Sequence, residues 1–197
     1  VNATCGREGT FKIVPTEKPK TVLIAGGGIA GMEAARIATL RGHKAIVCET
    51  SDKLGGHLFA AGAPEFKQDV IDFANWAFTQ AKKVGYEVRL NTEVTPEFIT
   101  EGKPDALIVA VGSEYIIPDV PGKDLAHVLN ANEALTDSKP IGEHVVISGT
   151  GQTALETALT IVKKHANIKD ITILRKYDEF VGLPPFEMKF AMEALEE

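Results

Sequence analysis

The stretch TVLIAGGGIAGMEAARIATLRGHKAIVCET, residues 21–50, decides the fold. Residues 22–25 are a short apolar run closed by glycine, which reads as a buried strand. From 29 to 40 the apolar and small residues recur at helical spacing, and Gly42 follows as a stop. KAIVCE, residues 44–49, reads as a second buried strand. The glycines at the turn have separate tasks. Gly26, without a Cβ, permits a tight turn from strand to helix. Gly28 lets the backbone approach a pyrophosphate, and Gly31 lets the helix pack close to the strand. The helix N-terminus then offers unpaired N–H groups and partial positive charge. Glu49 ends the second strand, about 20 residues on, where its carboxylate can accept hydrogen bonds from ribose hydroxyls. A glycine-rich turn alone could be structural. A strand before it, a helix after it and an acid at that distance together predict dinucleotide binding.

A looser copy follows at 144–164, HVVISGTGQTALETALTIVKK. Its turn runs Gly149, Thr150, Gly151, Gln152, Thr153, Ala154, with alanine as the small residue in the third glycine position. Arg175 and Lys176 stand at the end of its second strand, where the first copy has an acid. Two cations suit a 2′-phosphate better than a bare ribose, so the sequence leans towards NADPH. A solvated strand end is the plainer alternative, and Asp178 and Glu179 follow closely.

The rest of the chain supports this organisation. The formal net charge is −6, which argues against nucleic acid or an anionic membrane as a main partner. No apolar run approaches the roughly 20 residues of a spanning helix, and the polar start shows no signal-peptide pattern. Of the two cysteines, Cys48 reads as a buried core thiol. Cys5 lies far from it, so the pattern fits a reducing cytoplasm. A helix is expected from about 64 to 84, with Pro64 in its first turn and a stripe of Phe66, Val70, Phe73, Ala77, Ala81 and Val84. Trp76 and Phe78 read as added packing area rather than a cofactor box. Residues 86–94 read as a strand, 104–113 as a buried strand ending in glycine, and 130–135 as a short helix. The expected fold class is α/β. A Rossmann-like FAD-binding domain with a parallel sheet is followed by the first part of a second, NAD(P)-binding, Rossmann-like domain. The expected boundaries are 1–20 for a lead-in linker, 21–130 for the first domain and 131–197 for the second. The chain opens without an initiator Met and closes on an uncapped helical pattern, so a piece of a longer protein is expected.

Three stretches carry a family resemblance: AGGGIAGMEAARIATLRGHKAIVCETSDKLGGHL, VRLNTEVTPE and PDALIVAVGSEYIIPDVPG. Over residues 1–179 the chain resembles the flavin and pyridine-nucleotide module fused behind the barrel of large NADH:flavin oxidoreductases. That group includes 2,4-dienoyl-CoA reductase, enoate reductases and trimethylamine dehydrogenase. The resemblance implies that Gly26, Gly28, Ile29, Ala30, Gly31 and Glu49 contact FAD. It implies that Lys53, Gly55, Gly56, His57 and Leu58 run along its pyrophosphate and ribityl chain, with His57 where many members have Gln. Val94 would meet the adenine through its backbone. Ala110, Val111 and Gly112 match the family's Ala-Thr-Gly turn, with Val111 in place of Thr. Gly149, Gly151, Gln152, Thr153, Arg175 and Lys176 would take NAD(P)H. A 4Fe–4S cluster just upstream and FMN in the barrel belong to the remainder of the parent chain, with Cys5 outside the cluster.

Two readings remain open. In one, the parent is an oxidoreductase. NAD(P)H passes a hydride to FAD, and electrons travel through the cluster to FMN for reduction of an activated alkene. In the other, the module binds FAD or ADP as structure and oxidises no NAD(P)H. A disulfide reductase is disfavoured because the chain has no CxxC or CxxxxC pair. No catalytic side-chain arrangement or metal-ligand set stands out. The five histidines, His43, His57, His127, His144 and His165, are scattered; His57 alone reads as a polar loop residue and His144 as structural.

Overall fold

The computed structural model describes residues 4–175, which fall into two compact units. The first unit comprises residues 4–58 and 72–113; the second comprises 59–71 and 114–175.

The first unit is built on a four-stranded sheet of order β3-β2-β1-β4. Its strands are β1 (Thr21–Ala25), β2 (Lys44–Cys48), β3 (Glu87–Arg89) and β4 (Ala106–Val109). All three pairings are parallel, and β1 aligns Leu23 with Ile46 on one side and with Leu107 on the other. Alternation along β1 and β2 gives the sheet two apolar faces. Val22, Ile24, Ala45 and Val47 pack with Ala35 of α1 (Ile29–Leu40) and Tyr86. Leu23, Ile46 and Cys48 pack on the opposite face with Val94, Phe98 and Ile99. The last two lie on α4 (Pro96–Gly102), a helix capped by the Thr95 hydroxyl. Cys48 is buried as expected, and burial pushes its thiol up.

Several expectations shift in detail. The KLGGHL loop runs into one turn of helix, α2 (Leu58–Ala61). The helix expected from about 64 instead opens with a 3-10 turn, Glu65–Lys67, capped by Pro64, before α3 (Gln68–Val84). Along α3, Ala74 and Ala77 are buried and Ala81 and Val84 pack on the core, while Phe73 stays 40% exposed. Trp76 stacks on Phe73 with centroids 5.7 Å apart, and the Arg36 guanidinium lies 5.8 Å from the Trp76 centroid. Trp76 itself is 45% exposed. β3 is only three residues long because Asn91 turns the chain with a φ of 50°. Among the described residues β4 is exposed rather than buried, with Val109 at 68%, and it lies at the edge of the sheet beside β1.

The second unit has β5 (His144–Ser148) and β6 (Asp170–Leu174) in a parallel pair. Between them runs α6 (Gln152–Lys164), which buries Leu155, Ala158, Leu159 and Ile161. α5 (Ala131–Leu135) packs against α6 and buries Ala134 and Leu135. His144, at the start of β5, is paired with Asp170 across the strand, a structural contact. No helix among the described residues is long and apolar enough to cross a membrane.

Candidate functional site

The first glycine turn is shaped by what its missing Cβ atoms avoid. Gly26 has a φ of 103°, and its N–H donates to the Cys48 carbonyl at 2.8 Å, closing the turn against β2. A Cβ there would lie 2.2 Å from the Ala110 carbonyl oxygen. One at Gly31 would lie 1.9 Å from the Gly26 carbonyl oxygen and 3.3 Å from Ile24 Cγ2, which is the close helix–strand packing expected. A Cβ at Gly28 would meet nothing within 4 Å. Gly28 is the N-cap of α1, and the space over it is open.

Glu49 stands at the end of β2, half-buried. Its Oε2 accepts from the Gly27 N–H at 2.6 Å. Its Oε1 accepts from the Ser51 N–H at 2.8 Å, the Ser51 hydroxyl at 2.9 Å and the Thr50 hydroxyl at 3.2 Å. Burial pushes this carboxyl up, but these donors outweigh it and hold the group below its ordinary value. Oε2 keeps acceptor capacity for a further donor. The Glu49 main chain also fastens the loop after β3. Its N–H donates to the Arg89 carbonyl at 2.9 Å, and its carbonyl accepts from the Thr92 N–H at 2.8 Å. That strap carries the chain on to Val94, whose side chain packs on the core of the sheet.

The loop through Lys53, Gly55, Gly56, His57 and Leu58 folds onto the glycine turn. Gly55 donates to the Gly27 carbonyl at 2.9 Å, and a Cβ at Gly56 would lie 3.3 Å from Gly28 Cα. His57 Nε2 lies 3.3 Å from the Ser113 carbonyl oxygen, just after Ala110, Val111 and Gly112. Ala110 donates to the Ala25 carbonyl at 2.8 Å, and Gly112 takes a φ of 82°. The structure therefore brings Gly26 to Gly31, Glu49, the 53–58 loop and the 110–112 turn to one end of the sheet.

The sequence reading leaves out Gly27, Thr50, Ser51 and Leu54. Gly27 is tight on both counts: its N–H holds Glu49, and a Cβ would lie 2.5 Å from Leu54 Cδ2 and 3.0 Å from Glu49 Oε2. Its signal was the middle letter of GGG. The roles of Thr50 and Ser51 follow from a turn geometry that one sequence does not display.

The second turn repeats the design. Gly149 has a φ of 129°, and its N–H donates to the Leu174 carbonyl at 2.9 Å, the counterpart of the bond from Gly26 to Cys48. A Cβ at Gly149 would lie 4.0 Å from the Ala154 Cβ. Gly151 is the N-cap of α6, with Gln152 and Thr153 in the first turn. Arg175 lies exposed just beyond β6, and Lys176 lies outside the described residues.

The helix ends separate into two kinds. The short helices α4 and α5 each have a side-chain cap and an acid in the first turn. Both helices that follow glycine turns, α1 and α6, have a glycine N-cap, no side-chain cap and no acid in the first turn. Their N-terminal N–H groups donate to no side-chain cap, and the positive dipole end of each helix meets no acid in its first turn. Among the described residues no cluster of His, Cys, Asp or Glu could hold a metal ion.

The chain is similar to several known proteins. The chain is 37% identical over 181 residues to cinnamate reductase of Clostridium sporogenes, covering 92% of this chain and 26% of that protein. It is 35% identical over 179 residues to NADH oxidase of Thermoanaerobacter brockii, covering 88% and 28%. Among solved structures, 2-naphthoyl-CoA reductase in complex with 2-naphthoyl-CoA matches with a TM-score of 0.89 at 29% identity, over 100% of this chain and 30% of that one. The chain thus spans well under a third of the length of these relatives. The pyridine nucleotide-disulphide oxidoreductase family matches residues 21–197, and the chain belongs to that family, with the Rossmann-like α/β fold its sequence predicts.

Proposed function

We propose that this chain is the nucleotide-binding part of a flavin-dependent oxidoreductase, with FAD at the first glycine turn and NAD(P)H at the second. The observation that carries the reading is the pair of uncapped, acid-free helix ends behind two matching glycine turns. The open space over Gly28 would admit a pyrophosphate, the N–H groups of Ile29, Ala30 and Gly31 at the helix start would donate to it, and Glu49 Oε2 would take a ribose hydroxyl. Lys53, Gly55, Gly56, His57 and Leu58 would follow the pyrophosphate and ribityl chain. The Val94 backbone would meet the adenine, and Ala110, Val111 and Gly112 would underlie the flavin nucleotide. Gly149, Gly151, Gln152 and Thr153 would hold the second pyrophosphate, and Arg175 and Lys176 favour NADPH through its 2′-phosphate. FAD, when bound, supplies hydride acceptance from NAD(P)H and onward single-electron transfer, which in the whole protein would run through an iron–sulfur cluster to FMN.

The protein's own residues bind and orient. The two cysteines do not make a redox pair, since Cys5 is exposed in the lead-in and Cys48 is buried within β2, both as free thiols. Disulfide chemistry therefore lacks support here, while free thiols suit the cytoplasm. The names of the relatives support an activated alkene or a related conjugated acid or thioester as the final acceptor, since cinnamate and 2-naphthoyl-CoA are of that kind. The test is anaerobic addition of NADPH, then NADH, to the FAD-loaded protein. Loss of the oxidised flavin band is expected, faster with NADPH. An unbleached flavin with NADPH bound overturns the hydride role and favours a structural nucleotide module.

A further inference from the structure

At the second glycine turn, three side chains form a relay. Lys67, from the 3-10 turn Glu65–Lys67, places its Nζ 2.6 Å from Glu156 Oε1, with the two side chains 28% and 16% exposed. The same carboxylate oxygen accepts from Gln152 Nε2 at 2.8 Å. Gln152 is the first residue of α6, and Glu156 lies one turn further on the same face. Helix side chains lean towards the N-terminus, and the Glu156 carboxylate, one turn beyond the helix end, reaches back to the side chain of Gln152. An uncompensated carboxylate there is within a Debye length of any phosphate at the helix end and repels it. The Lys67 ammonium cancels that charge. The same carboxylate also engages the Gln152 amide one turn back along the helix.

We propose that Lys67 is a positioning residue for the second nucleotide, neutralising Glu156 and so keeping the α6 N-terminus receptive to a pyrophosphate. This rests on the reading of GTGQTA as the NAD(P)H cradle. Lys67 lies far from that motif in the sequence, in the segment 59–71 that joins the second unit.

Calorimetric titration of NADPH into the FAD-loaded protein tests it, at low and high salt, with FAD affinity measured in parallel. At low salt, Lys67→Met should raise the NADPH Kd about three- to tenfold, and high salt should shrink the difference. Lys67→Arg should bind as the wild type does. Glu156→Gln, which leaves the lysine in place, should tighten NADPH or leave it unchanged. The double variant Lys67→Met with Glu156→Gln should return to within about twofold of wild type, because both charges are gone. FAD affinity should be unchanged throughout. A Lys67→Met variant with wild-type affinity overturns the relay, as does a loss that persists at high salt or in the double variant. Weaker NADPH binding in Glu156→Gln does the same without depending on the folding of a Lys67 variant. A wild-type protein that holds FAD but takes no NADPH overturns the underlying reading, and the relay falls with it.

Discussion

Two glycines of the same turn do different work, and substitution separates them. Gly31 has no room: a Cβ would lie 1.9 Å from a backbone oxygen. Gly31→Ala should therefore cost about 2 kcal/mol or more in stability, read as a lowered denaturation midpoint. Gly28 has room and an ordinary φ of −69°. Gly28→Ala should leave the midpoint within about 0.5 kcal/mol of wild type and weaken FAD, because the new methyl occupies the approach to the helix end. Equal losses of stability in both variants would remove the distinction. Glu49 gives a pH prediction. Its folded pKa is lowered, because donors from Gly27, Ser51 and Thr50 outweigh the effect of burial. The charged form therefore contributes stability above the ordinary carboxylate pKa, and that contribution disappears as pH falls through the lowered value. Wild type should be more stable than Glu49→Gln at neutral pH, and the difference should close in acid. A gap that persists unchanged in acid would show that the carboxylate charge is not its source.

At the scale of elements, capping sorts the helices. α5 is only five residues long and depends on its ends. Asn130 Oδ1 accepts from the Glu133 N–H at 3.0 Å, and the Asn130 N–H donates to Glu133 Oε2 at 3.0 Å. This is a reciprocal capping box, and Lys139 adds an ion pair to Glu133 at 2.6 Å. Asn130→Ala should cost about 1 kcal/mol, measured by chemical denaturation. No loss would mean that packing of α5 against α6 holds the helix alone. The long elements were legible because their apolar periodicity is sustained, as in α1, α3 and α6. Of the short ones only α5 was legible, expected at 130–135 and found at Ala131–Leu135. α2 and the 3-10 turn span a few residues each and show no period. α4 is marked only by Thr95 and Pro96 at its start. The edge position and exposure of β4 are set by topology, and its apolar letters do not reveal them.

At the scale of the molecule, each unit repeats a strand, a glycine turn, an uncapped helix and a second strand parallel to the first. The backbone bonds from Gly26 to Cys48 and from Gly149 to Leu174 make the repeat physical. Both turns could be read from sequence because the strand, turn and helix are contiguous. What joins them to the rest could not. Residues 59–71 belong with the second unit although the chain leaves and re-enters the first around them. The ion pair of Lys67 with Glu156 follows from that arrangement. So does the meeting of Gly26 with Ala110, which a distant strand brings alongside. In the proposed reading the first turn is a dinucleotide cradle that grips a pyrophosphate and an adenylate ribose. The most direct measurement compares FAD with FMN, which has the flavin but neither the pyrophosphate bridge nor the adenylate half. Each is mixed in excess with the protein, gel-filtered and scanned for flavin absorbance. FAD should remain with the protein and FMN should wash out. Retention of FMN as well as FAD, or loss of both, would contradict the claim.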